Sequence, residues 1–201
     1  MFTLSKPSGQ LLEKIIQQES QSAPAYQEIA LTRDGRTPSS GYRTHEIAVK
    51  LAEGEASFEV ACDAMRAWKH FPSCGILLYP STPVIEEGTN LIVCARHIFL
   101  WSINACRIIY IIDESTSDKR RFGYGYGTLP IHSERGEERF LLEWERQSNA
   151  VTYQILAFSA ANHMLVSIFW PLAKVIQDRF RFASVNALSS IVHEKTTSTV
   201  A

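Results

Sequence analysis

Cysteine is scarce in this chain. Four occur among 201 residues (Cys62, Cys74, Cys94 and Cys106), and no two are separated by only two residues. Metal-ligand spacing is therefore missing, and the thiols read as reduced, small core fillers of an intracellular protein. Net charge is nearly absent as well: 20 Lys and Arg against 21 Asp and Glu leave −1. A dedicated nucleic-acid binder usually carries a strongly basic face, so no nucleic-acid partner is expected. A long uninterrupted apolar run is also lacking. Leu91 to Ile112 is the most apolar stretch, but Arg96, His97, Asn104 and Arg107 break it. It reads as two adjacent core strands rather than a membrane helix. Nothing at the N-terminus looks secretory, and its Gln- and Glu-rich character argues against a transit peptide. The expected location is intracellular, cytoplasmic by default, with a plastid left open. Internal repeats and low-complexity tracts are missing too.

Apolar residues make up 45% of the chain, enough to bury a sizeable core. Ser8 precedes Leu11, Leu12, Ile15 and Ile16, which share one helical face. This predicts a short amphipathic helix within 4–22, either docked on the body or a flexible arm. Residues 20–43 form a connector punctuated by Pro24, Asp34-Gly35, Pro38 and Gly41. At that length it is either mobile or wrapped over the surface. His45, Ile47, Val49 and Leu51 then alternate with polar neighbours as a strand with one buried face. Phe58, Cys62, Met65 and Trp68 recur at helical spacing, predicting a helix from about Glu55 to Phe71.

A run of strands follows: Gly75–Tyr79, Asn90–Phe99, Trp101–Asp113, Phe122–Leu129, Glu137–Arg146 and Val151–Ser159. Short connections between them imply an antiparallel meander. The chain ends in a helical pattern of Leu165, Ile168, Phe169, Leu172, Val175 and Ile176, continuing to Leu188 and Val192, with a kink or break expected at Pro171. Only that helix is long enough to cover one face of the sheet. The expected fold is thus α+β: a curved antiparallel sheet wrapped around a long C-terminal helix, the helix-grip arrangement. Residues 1–40 form the N-terminal helix and connector, 41–195 the helix-grip domain, and 196–201 a frayed tail.

Several motifs in order carry a family resemblance. They are Gly41-Tyr42-Arg43; Gly54-Glu55-x-x-Phe58 followed by Ala64 and Trp68; and Cys106-Arg107-Ile108-Ile109-Tyr110 followed by Asp113-Glu114. Then come Phe122-Gly-Tyr-Gly-x-Gly-Thr-Leu-Pro with His132, Glu134, Arg135-Gly136-Glu137-Glu138 and Phe140, and finally Ala157-Phe158-Ser159. Together they resemble the domain-of-unknown-function-1990 family, more its plant and cyanobacterial branch than its actinobacterial one, over Gly41 to Val192. Ser133 stands where the family usually has proline. Ala160-Ala161 stands where Arg-Pro is common, so the approach to the last helix is expected to differ. The family is similar to the START-like, birch-allergen-like superfamily of helix-grip domains. The resemblance implies the fold and no particular activity, because that superfamily includes lipid carriers, hormone receptors, cyclases and hydroxylase subunits.

Four features are candidates for chemistry. Gly123, Gly125 and Gly127 leave one strand face bare, which permits close approach of a ligand or of another part of the chain, the last helix first among them. No helix opens behind them, so a dinucleotide site is rejected. The turn from His132 to Glu138 offers acid–base groups, His132 with Glu134 or Glu138, or else a hydrogen-bonded turn. Arg107 lies mid-strand among isoleucines, on the parity of Trp101, with Tyr110 on the opposite parity. It either binds a ligand carboxylate or phosphate, or pairs with Glu114, Glu137 or Glu138. The six histidines are scattered, and His132-x-Glu134 alone makes no metal site; no metal and no cofactor are expected.

The leading expectation is a non-catalytic binder of a small apolar or lipid-like ligand between sheet and helix. Trp101, Arg107, Tyr110, Tyr124 and Tyr126 would line the site, with His132 and Glu134 at its rim. A small enzyme using His132, Glu134 and Glu138 is the second reading. A protein-interaction or membrane-associated module, using its amphipathic N-terminal helix and apolar final helix, is the third. The oligomeric state is left open.

Overall fold

The computed structural model describes residues 1–71, 75–97, 99–162 and 170–199, with side chains of the last helix from 179 to 195. In chain order the elements are β1 (Phe2–Thr3), α1 (Gly9–Glu19), a 3-10 turn (Leu31–Asp34), β2 (Arg43–Glu53), α2 (Glu55–Arg66), β3 (Ile76–Tyr79), β4 (Asn90–Arg96), β5 (Trp101–Ser115), β6 (Lys119–Thr128), β7 (Glu134–Glu145), β8 (Ala150–Ala161) and α3 (Trp170–Thr199). The strands form one sheet in the order β2-β8-β7-β6-β5-β4-β3, with β1 added beside β5. Every pair is antiparallel. From β3 to β8 it is the expected meander, and β2 closes beside β8. Long strands such as the 15-residue β5 must twist and curve. Bulges at Ile108/Tyr110 and Lys50/Ala52 sharpen the bend. The sheet thus grips α3 with α2 beside it, in the helix-grip arrangement.

The inner face holds the larger core. Phe58, Met65, Trp68 and Phe71 from the α2 region and Leu188 and Val192 from α3 meet Tyr124, Phe140, Leu142, Tyr153 and Ile155 of the sheet. Each such side chain contributes about 1.5–3 kcal/mol on full burial. Residues Leu165, Ile168 and Phe169 of the expected last-helix face lie outside the described residues, as do the side chains of Leu172, Val175 and Ile176. Pro171 falls in the first turn of α3, where a missing N–H breaks no intrahelical bond.

Helix α1 packs on the outer face, not free in solvent. The Ser8 hydroxyl accepts from Leu11 N at 3.3 Å and caps it. Leu12 and Ile15 bury against Ile92, Cys94, Ile103, Ala105 and Leu129. Its apolar face is therefore occupied. Helix α2 ends at Arg66, five residues before the expected end, because Trp68 turns the chain at φ 56°. There the Trp68 indole N–H donates to Pro83 O at 2.6 Å, and its ring stacks on His70.

The connector wraps the outer face, and two charged side chains of β7 hold it there. Glu137, 2% exposed, accepts from Tyr26 OH and Ala30 N at 2.7 Å and from Thr32 N at 2.9 Å, and also from the Thr32 hydroxyl. Two residues along, buried Arg139 donates to Thr32 O at 3.0 Å and to Gln154 Oε1 at 3.3 Å. The carboxylate thus takes the free N–H groups at the start of the 3-10 turn, and the guanidinium takes a carbonyl within it. The alternating glycines serve this wrapping. A Cβ on Gly125 would lie 2.3 Å from Tyr110 Cζ, and one on Gly127 would lie 2.2 Å from the Tyr26 hydroxyl. The bare strand face is filled by two tyrosine rings of the protein itself, on the side away from α3.

Candidate functional site

The inner face of β6, β7 and β8 carries a cluster of polar groups set among aromatic rings. Opposite the glycines, alternation puts Phe122, Tyr124 and Tyr126 on this face. Register places Tyr126 beside Glu138 and Tyr124 beside Phe140. The Tyr126 hydroxyl donates to Glu138 Oε2 at 2.7 Å, and Arg181 of α3 brings its Nε to 3.4 Å from Glu138 Oε1. The Tyr153 hydroxyl meets the Ser184 hydroxyl at 2.9 Å. The His70 Nε2 lies 2.7 Å from the Tyr124 hydroxyl. Phe140 sits centrally, with its ring 5.2–5.6 Å from those of His70, Tyr124 and Tyr126. Phe71 and Phe180 close one side at 5.1 Å.

Burial sets the protonation of this cluster. It pushes the Tyr124, Tyr126 and Tyr153 phenols upward, so each keeps its proton at neutral pH. Burial also pushes His70 down, to about 3 from 6.5, so the imidazole is neutral. Its Nδ1 has no partner among the described residues. Between those two values the unfolded chain binds a proton that the folded chain refuses. The stability His70 contributes is complete above about pH 6.5 and falls as pH drops toward about 3, with a slope of up to about 1.4 kcal/mol per pH unit. His70→Gln is expected to flatten the acid side of the stability–pH curve, measured by urea unfolding between roughly pH 4 and 6. Equal slopes for the two proteins would reject this assignment.

The structure does not bring all the expected site residues together. Tyr124 and Tyr126 lie on the inner face as described. Tyr110, Trp101 and Arg107 lie on the outer face. The β-bulge between Ile108 and Tyr110 inverts the parity of β5, so Tyr110 joins the side of Arg107 instead of opposing it. Arg107 serves α1, not Glu114, Glu137 or Glu138. It donates to the carbonyls of Glu19, Ser20 and Ser22 at 2.9–3.0 Å and to Asn90 Oδ1 at 2.7 Å. A cation on the last carbonyls of a helix is a favourable C-terminal cap. Trp101 packs half-buried beside the cluster under α1.

His132 and Glu134 sit in and after the β6–β7 turn. His132 Nδ1 accepts the Glu134 N–H at 2.9 Å. Asn162 Nδ2 donates to His132 O at 3.0 Å, and the Ser133 hydroxyl donates to Asn104 Oδ1 at 2.9 Å. Burial, followed by the positive N-terminal ammonium, lowers the His132 imidazole to about 3. Glu138 lies four residues beyond Glu134, roughly 13 Å along a strand. The three groups therefore do not form one hydrogen-bonded acid–base unit. Among the described residues no three His, Cys, Asp or Glu stand together to hold a metal ion. Three cysteines, Cys62, Cys94 and Cys106, are buried free thiols, and burial raises Cys62 to about 12 and Cys94 to about 11.

Arg181, His70, Tyr153 and Ser184 were not singled out from the sequence. Arg181 had a signal, a cation inside an apolar helical pattern. His70 had none, because its placement depends on the turn made at Trp68.

Comparison with known proteins covers most of the chain. The profile described as "Domain of unknown function (DUF1990)" matches residues 25–187. A UPF0548 protein of Deinococcus radiodurans is 34% identical over 191 residues, 89% of this chain and 92% of that protein. A UPF0548 protein of Dictyostelium discoideum is 29% identical over 207 residues, 96% of each. Among solved structures, Ara h 8.0201 is similar at 14% identity, with a TM-score of 0.46, covering 77% of this chain and 99% of that one.

Proposed function

The chain belongs to the DUF1990 family, and from the inner-face cluster we propose that it is a non-catalytic binder of a small amphipathic ligand held between sheet and α3. The observation that carries this reading is the Tyr126–Glu138–Arg181 group. An apolar core gains nothing from a carboxylate and a guanidinium in place of well-packed hydrocarbon, and their desolvation costs several kcal/mol per ion. A few polar groups converging among aromatic rings are, by contrast, the usual lining of a small-molecule site. Tyr126, Glu138 and Arg181 would meet the polar end of the ligand, and Phe71, Phe140 and Phe180 its apolar body. Tyr124 and His70 would flank it.

The test is native mass spectrometry on gently purified protein, before and after exposure to lipid and metabolite mixtures. A discrete bound mass is expected, its occupancy reduced about tenfold in Glu138→Gln and Tyr126→Phe, since each removes one charge-assisted hydrogen bond worth roughly 1.5–3 kcal/mol. Both variants should melt as cooperatively as the parent. A parent that stays empty, or variants that keep the full bound mass, would reject the reading.

A further inference from the structure

A second region, remote from the inner cluster, points to a partner of a different kind. Strand β1 pairs with the start of β5, Phe2 opposite Ser102 and Thr3 opposite Trp101. It therefore lies beside the β4–β5 hairpin, which His97 N closes by donating to Leu100 O at 2.7 Å. The Phe2 and His97 rings are 6.3 Å apart. This pairing gathers large apolar side chains that face solvent: Phe2 is 48% exposed, Leu4 83%, Phe99 82% and Leu100 39%. They sit at the tips of two short adjoining segments, at the end of the sheet where β4 ends and β5 begins. The core does not need them, because the hydrophobics beneath, Leu12, Ile15, Ile103 and Leu129, are already buried.

The charge around these tips is of one sign. Lys6 and Arg96 are exposed within a few residues of them. Residues 1–12, 94–97, 99–105 and 128–133, at or next to this end, contain no Asp or Glu, and Glu134, which follows, is buried. His97 adds no negative charge, and burial lowers its pKa. Exposed aromatic and aliphatic tips flanked by Lys and Arg, with no acid to repel phosphate headgroups, are the pattern of an interfacial membrane contact. A groove without acidic groups would gain nothing from Lys6 and Arg96 at its edge, whereas a surface of phosphate headgroups would.

We propose that this end of the protein docks on the surface of an anionic lipid bilayer. Phe99, Leu100, Phe2 and Leu4 enter the headgroup–acyl boundary, and Lys6 and Arg96 lie at the phosphates. The contact is peripheral. No described helix is long and apolar enough to cross a membrane. It uses neither α1, whose apolar face is buried, nor the inner-face cluster, so it stands whether or not a ligand binds there.

The experiment is co-sedimentation of the full chain with vesicles of phosphatidylcholine alone and of phosphatidylcholine with about one third phosphatidylserine. The parent should partition onto the anionic vesicles and much less onto the neutral ones, and high salt should release it. Phe99→Ser with Leu100→Ser should lower the partition about tenfold or more, since two inserted side chains are lost. Lys6→Glu with Arg96→Glu should remove the preference for phosphatidylserine. Phe182→Ser, at an exposed position on α3, should change nothing. All five positions are exposed, and melting curves of the variants should overlay the parent's. Three results would overturn the proposal: no partition of the parent, equal partition of the Phe99/Leu100 variant, or a dimer in sedimentation velocity that those two substitutions dissociate while vesicle binding is absent.

Discussion

Glu137→Ala is expected to lower the midpoint of thermal unfolding by roughly 10 °C, because this carboxylate is a main anchor of the connector around Tyr26 to Thr32. Its side chain accepts from Tyr26 OH, Thr32 N and the Thr32 hydroxyl, all buried on the outer face, and from the part-buried Ala30 N. Alanine would leave Tyr26 OH, Ala30 N and Thr32 N without that acceptor, while the Thr32 hydroxyl keeps the Tyr110 hydroxyl as a partner. A buried donor so orphaned costs about 1–3 kcal/mol, and water entering the gap recovers part of it, for a net loss of about 4 kcal/mol. For a chain of this length about 2–4 °C accompany each kcal/mol. The loss should also be local. Amide hydrogen exchange at Ala30 and Thr32 should accelerate far more than at the β6–β7 ladder. Glu137→Gln should fall between, because its amide can accept on one atom only. A midpoint within about 2 °C of the parent, with both amides still protected, would show that the connector is held by something else.

Gly125→Ala is expected to destabilise by about 3 kcal/mol, an unusual penalty for one added methyl. The new Cβ would stand 2.3 Å from Tyr110 Cζ and 2.5 Å from its Cε1 and hydroxyl. The ring has little room to withdraw, since Tyr110 is buried and its hydroxyl lies 2.6 Å from the Thr32 hydroxyl, which itself binds Glu137. Overpacking of this kind costs about 1–3 kcal/mol, with the coupled hydrogen bonds placing it at the upper end. The decisive comparison is a double-mutant cycle. In a Tyr110→Ala background the same change should cost almost nothing, because alanine suits a strand better than glycine once the ring is gone. Urea denaturation of the four proteins should give a coupling of about 2 kcal/mol or more. An equal cost in both backgrounds would mean that Gly125 is glycine for some other reason.

These two residues also mark where reading by pattern stops. The glycine alternation was legible as a bare strand face, but not its occupants. Tyr110 was placed on the other side by strict two-residue parity, and Tyr26 lies in a connector without periodicity. Arg107 was legible as an arginine needing partners inside an apolar strand. Its partners are three carbonyls that end α1, more than eighty residues away in sequence, and no local spacing encodes them. Within the inner cluster, Tyr124, Tyr126 and Glu138 were legible by type and alternation, whereas His70, Tyr153, Arg181 and Ser184 reach it only through packing.

By itself the sequence determined the class of the long helices and strands, their order and the meander. Apolar spacing of two or 3.6 is a local property, and short polar turns between strands leave little choice of neighbour. Tertiary structure alone decided what each face of the sheet packs against. One bulge in β5 reverses parity downstream of it, and the burial of Glu137 and Arg139 under the connector makes that face a protein interior instead of a ligand surface. Contacts between residues far apart in the chain carry that information, because charges and hydroxyls must find partners once water is excluded.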